Sequence, residues 1–233
     1  GTITNTNRQV QMGRRAVAPP GEARPDLWII GEIAAGMGLE WHYDGPEPVF
    51  EEMRLAMDSI QGMSWQRLAA EDAITYPCSG PDDPGQAVMF GDGFPTENGR
   101  GLFVPCDITD PDELPDRDYP LVLLTGRLLE HWHTGAITRR APVLDLLEPE
   151  AVAYLAPSAL ENLQLSAGDT IRVESRRGTI SLAARSDAGV QPGTVFIPFC
   201  FAEAAANLLT NAALDPDGKI AEVKFCAVRV SPA

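Results

Sequence analysis

Lysine is almost missing from this chain of 233 residues, which holds only Lys219 and Lys224, and histidine is nearly as scarce at three. With a formal net charge of −15, the totals do not supply the clustered basic surface that neutralises a phosphate backbone, which argues against non-specific nucleic-acid binding. No apolar run approaches the roughly 20 residues that span a bilayer. The opening GTITNTNRQVQ has neither the charged nor the apolar section of a signal peptide. A cytoplasmic protein with no membrane span is therefore expected. The four cysteines, Cys78, Cys106, Cys200 and Cys226, form no C-x-x-C pair and are expected to be buried, reduced thiols. There is no G-x-S-x-G elbow, no G-x-x-x-x-G-K-[ST] phosphate loop and no cysteine cluster for an iron–sulfur centre, so complete chemistry by these residues alone is not expected.

What is present is enough apolar material for a real core, 44% of residues, and an uneven distribution of charge. Residues 1–118 carry eight arginines against 21 acids, whereas residues 119–233 carry ten basic residues against twelve. The change falls at PDELPDRD (residues 111–118), whose proline and acid content predicts a linker, giving domains at 1–118 and 119–233. The chain opens on Gly1 inside what reads as an extended segment, which predicts a fragment of a longer polypeptide.

The pattern predicts mixed α+β structure. Leu27, Ile30, Ile33, Ala34 and Met37 have the spacing of an amphipathic helix ended by Gly38, a second helix starts near Pro46, and a short third spans Ser64 to Ala70. From Tyr76 to Asp110 a long connection is expected, with brief strands at Ala87–Phe90 and Leu102–Val104. Beyond it the texture is β: strands at Leu121–Leu124 and Ala151–Leu155, a hairpin of Asp169–Ser175 with Thr179–Ala184 turning at Arg176-Arg177-Gly178, a strand at Thr194–Pro198 and a closing strand within Glu222–Val230. A helical turn is expected at Ser158–Leu163 and helix at Glu203–Leu209. Many short strands predict a closed or nearly closed barrel, because closure removes exposed edges. Arg176 and Arg177 are expected to point into solvent.

The densest functional signal is TGRLLEHWHTGAITRR, residues 125–140, which is locally positive within an acidic chain and rich in donors. Gly126 after a buried strand permits close backbone approach, and Arg127 sets a forked donor at the strand end. His131 and His133 have no third ligand at a metal-site spacing, so they are read as hydrogen-bonding groups for a polar ligand, with Trp132 covering an apolar face. Asn207 and Lys224 offer an amide and a cation from the C-terminal segment.

Taken in order, GTITNTNRQVQ, PPGEARPDLWIIGEIAAGMGL, FPTENGRG, TGRLLEHWHTGAITRR, GDTIRVESRRGTI, GTVFIPF, AANLLTNAALDP and EVKFCAVRV resemble the C-terminal part of formate dehydrogenase α subunits, of the molybdopterin oxidoreductase family. The resemblance implies that 119–233 form a double-psi β-barrel that clamps bis-molybdopterin guanine dinucleotide, and that 1–118 end the preceding core. It implies cofactor contacts at Thr125, Gly126, Arg127, His131, His133, Thr134, Asn207 and Lys224, with Phe199 and Val223 beside them, and no catalytic or metal-ligating residue in this chain. No cysteine is followed by histidine, the dipeptide in which the family's metal-ligating cysteine or selenocysteine stands. The metal, Mo or W, and the iron–sulfur cluster would thus depend on the missing N-terminal portion. Implied partners are the rest of the α subunit, formate as substrate, and iron–sulfur or flavin electron-transfer subunits. The PFCFAEAAANLLTNAALDP run favours a NAD-linked group. An independent barrel binding module, or part of another molybdopterin enzyme such as a nitrate reductase, are the alternatives.

Overall fold

The computed structural model describes residues 1–233, which divide into two compact units, Gly1–Val104 and Pro105–Ala233. In the first unit, β1 (Thr2–Thr4), β2 (Gln9–Met12) and β3 (Ala73–Thr75) form an antiparallel sheet in the order β1-β2-β3, with Val10 opposite Ile74. Val10, Phe50, Ile60, Met63, Leu68, Ile74 and Cys78 build its core. Three helices follow the expected positions: α1 (Asp26–Gly36), α2 (Pro46–Ala56) and α3 (Trp65–Glu71). Proline at the start of α2 has no N–H to leave unpaired. Ser64 caps α3, its hydroxyl accepting the Arg67 N–H at 3.2 Å. Ser64→Ala is expected to lower the stability of this unit by about 1 kcal/mol, read from the denaturant midpoint.

Amphipathicity is the part of the α1 expectation that fails. Trp28, Ile29, Ile30, Ile33 and Met37 are all exposed, and Ala34 alone is buried. Apolar side chains surround this helix instead of lying along one stripe, which is the pattern of a helix enclosed by other protein. The brief strands expected at Ala87–Phe90 and Leu102–Val104 do not form either. Those islands sit among turns and bends, and no neighbouring strand is there to supply backbone partners.

The second unit is a closed barrel of six strands in the order β4-β8-β5-β7-β6-β9, comprising β4 (Leu121–Gly126), β5 (Val152–Leu155), β6 (Thr170–Glu174), β7 (Thr179–Ser186), β8 (Thr194–Pro198) and β9 (Cys226–Pro232). Alternation along β6, β7 and β8 points Ile171, Val173, Ile180, Leu182, Val195 and Ile197 inward, where they meet Leu123, Leu155 and Val228. Two short helices, α4 (Pro142–Leu147) and α5 (Pro157–Asn162), flank β5. The helix expected at Glu203–Leu209 is instead two 3-10 turns, Ala202–Ala204 and Ala206–Leu208, separated by the extended Ala205. That break lets Ala204, Ala206 and Leu209 all reach the core.

Arg176 and Arg177 are exposed, as expected, but they are not free. Glu113 accepts from Arg176 Nη1 and Arg177 Nη2, each at 2.6 Å, and Asp116 pairs with Arg176. Tyr119 lies beneath both Arg176 and Arg229, at 4.6 and 5.4 Å. The acidic segment expected to be a linker is thus a strap on the barrel, which is why the compact units divide ahead of residue 118.

Candidate functional site

Strand direction gathers the site. β4 and β8 run parallel, with Gly126 opposite Pro198, so the segments that follow them leave the same end of the barrel. β9 runs antiparallel to β4, with Leu123 opposite Cys226, so the segment before β9 arrives at that end too. Two hydrogen bonds join these segments: the Thr125 hydroxyl donates to the Val223 carbonyl at 2.8 Å, and the Phe199 N–H donates to the Gly126 carbonyl at 3.1 Å. Arg127, His133 and Thr134 leave from the first segment, Asn207 from the second and Lys224 from the third, and all five are exposed. The His133 ring meets Phe199 edge-on at 5.1 Å.

Gly126 is required by its neighbour. A Cβ there would lie 2.4 Å from Phe196 Cε2 and 2.8 Å from Cζ, inside any real contact distance. Gly135, at φ +73°, is similarly constrained, since a Cβ would lie 2.7 Å from the Cys200 carbonyl oxygen. Both glycines thus let neighbouring parts of the barrel end pack closely against the backbone.

Of the residues implied as cofactor contacts, His131 is corrected by the geometry. It is 1% exposed, and both ring nitrogens are occupied inside the protein. Nε2 lies 2.7 Å from the Glu148 carbonyl, which can only accept, so Nε2 carries the proton. Nδ1 then accepts from the Thr138 hydroxyl at 3.3 Å, while the Thr138 oxygen accepts the Trp132 N–H at 2.9 Å. Phe201 closes the pocket edge-on, 5.7 Å away. Thr125 is also buried, with its hydroxyl committed to Val223, so its role at the site falls to its backbone and to the segment it holds.

Charge at this end is partly neutralised and partly free. Arg139 pairs with Asp145 at 3.2 Å and Glu203 at 2.6 Å and lies over the Phe201 ring. Burial alone would raise the Glu203 carboxyl, but the bond from Arg139, a backbone N–H and the Arg139 charge together outweigh it and hold the group below the usual carboxylate range. Arg127 and Lys224 enter none of the ion pairs. The Arg127 guanidinium lies over the Trp132 ring at 5.8 Å, and Trp132 is itself exposed. Two uncompensated cations, an amide, a hydroxyl, an imidazole and an open indole form a donor set suited to a polyanion that also carries flat rings.

The thiols fit no ligand role here. Burial pushes Cys200 up to about 11, keeping it protonated, and Cys78 and Cys226 are buried as well. Cys106 departs from the expectation of burial and is exposed. No group of three or more His, Cys, Asp or Glu side chains is assembled to hold a metal ion.

Two residues the sequence does not single out are Phe196, whose ring crowds Gly126, and Glu148, which with Thr138 of the motif holds His131. Phe196 was visible as part of a buried strand, but nothing in the sequence pairs it with position 126. Glu148 is a carbonyl partner 17 residues away, for which side-chain type carries no signal.

A closed six-stranded barrel with two parallel strand pairs, β4 with β8 and β5 with β7, is consistent with a double-psi β-barrel. Residues 121–227 match the molydopterin dinucleotide binding domain and residues 1–36 match the molybdopterin oxidoreductase domain. Both matched models describe molybdopterin oxidoreductases, to which the chain is similar along its length. It is 42% identical over 99% of its length to the F420-dependent formate dehydrogenase subunit alpha of Methanocaldococcus jannaschii. It is 33% identical over its whole length to the assimilatory nitrate reductase catalytic subunit of Bacillus subtilis. In each case it spans 34% of the relative, about a third of its length. Acetylene hydratase from Pelobacter acetylenicus shares the fold over the whole chain and 37% of its own, with a TM-score of 0.70 at 22% identity. The expectation of a NAD-linked group is overturned, because the formate dehydrogenase relatives at 42%, 39% and 36% identity are F420-dependent by name. No helix is long and apolar enough to cross a membrane.

Proposed function

We propose that this chain is the C-terminal, cofactor-clamping part of a formate dehydrogenase α subunit, and that the barrel end formed by β4, β8 and β9 holds bis-molybdopterin guanine dinucleotide. The observation that carries the reading is the convergence at one barrel end of Arg127, His133, Thr134, Asn207 and Lys224 around the closely packed Gly126. The residues fit the group: Arg127 and Lys224 suit its phosphates, Asn207 and Thr134 its polar ring edges, and Trp132 and His133 its flat surfaces. When bound, the cofactor supplies the Mo or W centre at which formate is oxidised to carbon dioxide. The chain's own residues bind and orient it and exclude water from one side.

The metal-ligating residue and the iron–sulfur cluster belong, in this reading, to the rest of the subunit. The all-round apolar surface of α1 supports such a larger body, since a helix of that composition is stable only when enclosed. Further subunits carry electrons onward, and F420 is the acceptor the formate dehydrogenase relatives favour.

In the enzyme that contains this chain, Arg127→Ala is expected to lower cofactor content per polypeptide about tenfold at limiting cofactor supply, the loss of one charge-assisted contact. Unchanged loading contradicts the clamp. The nitrate reductase relative makes nitrate reduction the second reading. Assay of the purified enzyme with formate and with nitrate separates the two, formate oxidation being expected.

A further inference from the structure

The strongest buried polar arrangement at the binding end is the one around His131, and the binding reading as stated leaves it unused. Its ring joins two parts of the unit. On one side, Nε2–H donates to the Glu148 carbonyl, while the Glu148 carboxylate accepts from Arg185 of β7 at 2.9 Å. Arg185 also donates to the Tyr154 hydroxyl of β5 at 2.9 Å, so Glu148 is anchored to the barrel wall. On the other side, Nδ1 accepts from the Thr138 hydroxyl, whose oxygen holds the Trp132 N–H. The two outer bonds have one direction only, because a carbonyl cannot donate and an amide N–H cannot accept.

We infer that His131 is a positioning residue: through its two ring hydrogen bonds it fixes the loop carrying Trp132, His133 and Thr134 to the barrel wall, and so sets the geometry in which that loop meets the cofactor. His133 has a left-handed backbone at φ +51°, and so does its near neighbour Gly135 at +73°. A histidine in that region needs its surroundings to hold it there. The His131 ring and the Thr138 hydroxyl fix the residue immediately before it. This inference rests on the cofactor-binding reading of the same barrel end.

The test uses the enzyme containing this chain and reads cofactor content at limiting supply together with thermal unfolding of the cofactor-free protein. His131→Phe keeps a ring against Phe201 and removes both hydrogen bonds; Thr138→Val keeps the shape and removes the hydroxyl. Each is expected to reduce cofactor content about tenfold, the effect typical of groups that orient a ligand-binding residue. The double variant is expected to lose little more than either single one, since both break one relay. His131→Gln, whose amide can still donate toward Glu148, is expected to recover most of the content at an unfolding temperature like that of His131→Phe. If His131→Phe and Thr138→Val load normally while Arg127→Ala does not, the inference is overturned and the binding reading stands. If Arg127→Ala also loads normally, both fall. Additive losses in the double variant, or glutamine no better than phenylalanine, reduce His131 to packing and overturn the inference as well.

Discussion

Gly126→Val is expected to destabilise the barrel unit by about 3 kcal/mol and to abolish cofactor retention. Even the first carbon of the new side chain falls 2.4 Å from Phe196 Cε2. The Phe196 ring has little freedom to withdraw, because it packs against Tyr154 with ring centroids 5.7 Å apart, on the neighbouring strand β5. The backbone of β4 is equally fixed, since it lies in register with β8 and its last carbonyl accepts the Phe199 N–H. The strain must therefore appear either as a displaced ring in the wall or as a displaced strand end at the binding face. Phe196→Leu in the Gly126→Val background is expected to recover part of the stability, measured from denaturant midpoints, by giving up the ring edge. A fully stable Gly126→Val protein with normal cofactor content would show that the contact is relieved without cost.

The second large effect concerns the strap. Glu113→Ala is expected to cost about 2 kcal/mol, because it removes an acceptor that is only 12% exposed and leaves the more exposed Arg176 and Arg177 without their shared partner. The consequence reaches the binding end, since Arg177 Nε also donates to the Leu209 carbonyl, two residues beyond Asn207. Burial alone would raise the Glu113 carboxyl, but bonds from Arg177, Arg176 and the Ala227 N–H outweigh it and hold the group below its ordinary value. A lowered folded value means that the charged carboxylate stabilises the fold above the unfolded pKa, about 4.3. That contribution disappears as pH falls through the folded value. Unfolding midpoints between pH 6 and pH 3 should therefore fall less steeply for Glu113→Gln than for the parent chain, while the variant starts from a lower midpoint at pH 6. Parallel curves would remove Glu113 from the acid response.

The barrel was the more legible half of the chain. Alternating burial in β6 and β7 and the compact apolar runs of β4 and β8 are local signals, and a residue's side of a strand follows from counting by two. Helix positions were legible for similar reasons, with Pro46 and Ser64 marking starts. What covers a helix is not local, so the apolar residues of α1 were read as one face when they surround it. Arg176 and Glu113 are 63 positions apart, and no local pattern distinguishes a strap from an acidic linker. At the site, the motif marked a cluster of donors, and the fold gathers them at one end of the barrel. It did not tell which histidine faces inward: at His131 the backbone turns toward Glu148 and Phe201, whereas His133, in its left-handed conformation, turns outward against Phe199.

The claim that the binding face lies where β4 and β8 end is tested most directly by hydrogen exchange on the enzyme containing this chain, compared with and without its cofactor. Slowed exchange is predicted in residues 126–137, 199–211 and 222–225, with the segments at the opposite end of the barrel, 156–169 and 187–193, unchanged. Protection at 156–169 and 187–193 with none at 126–137 would contradict it.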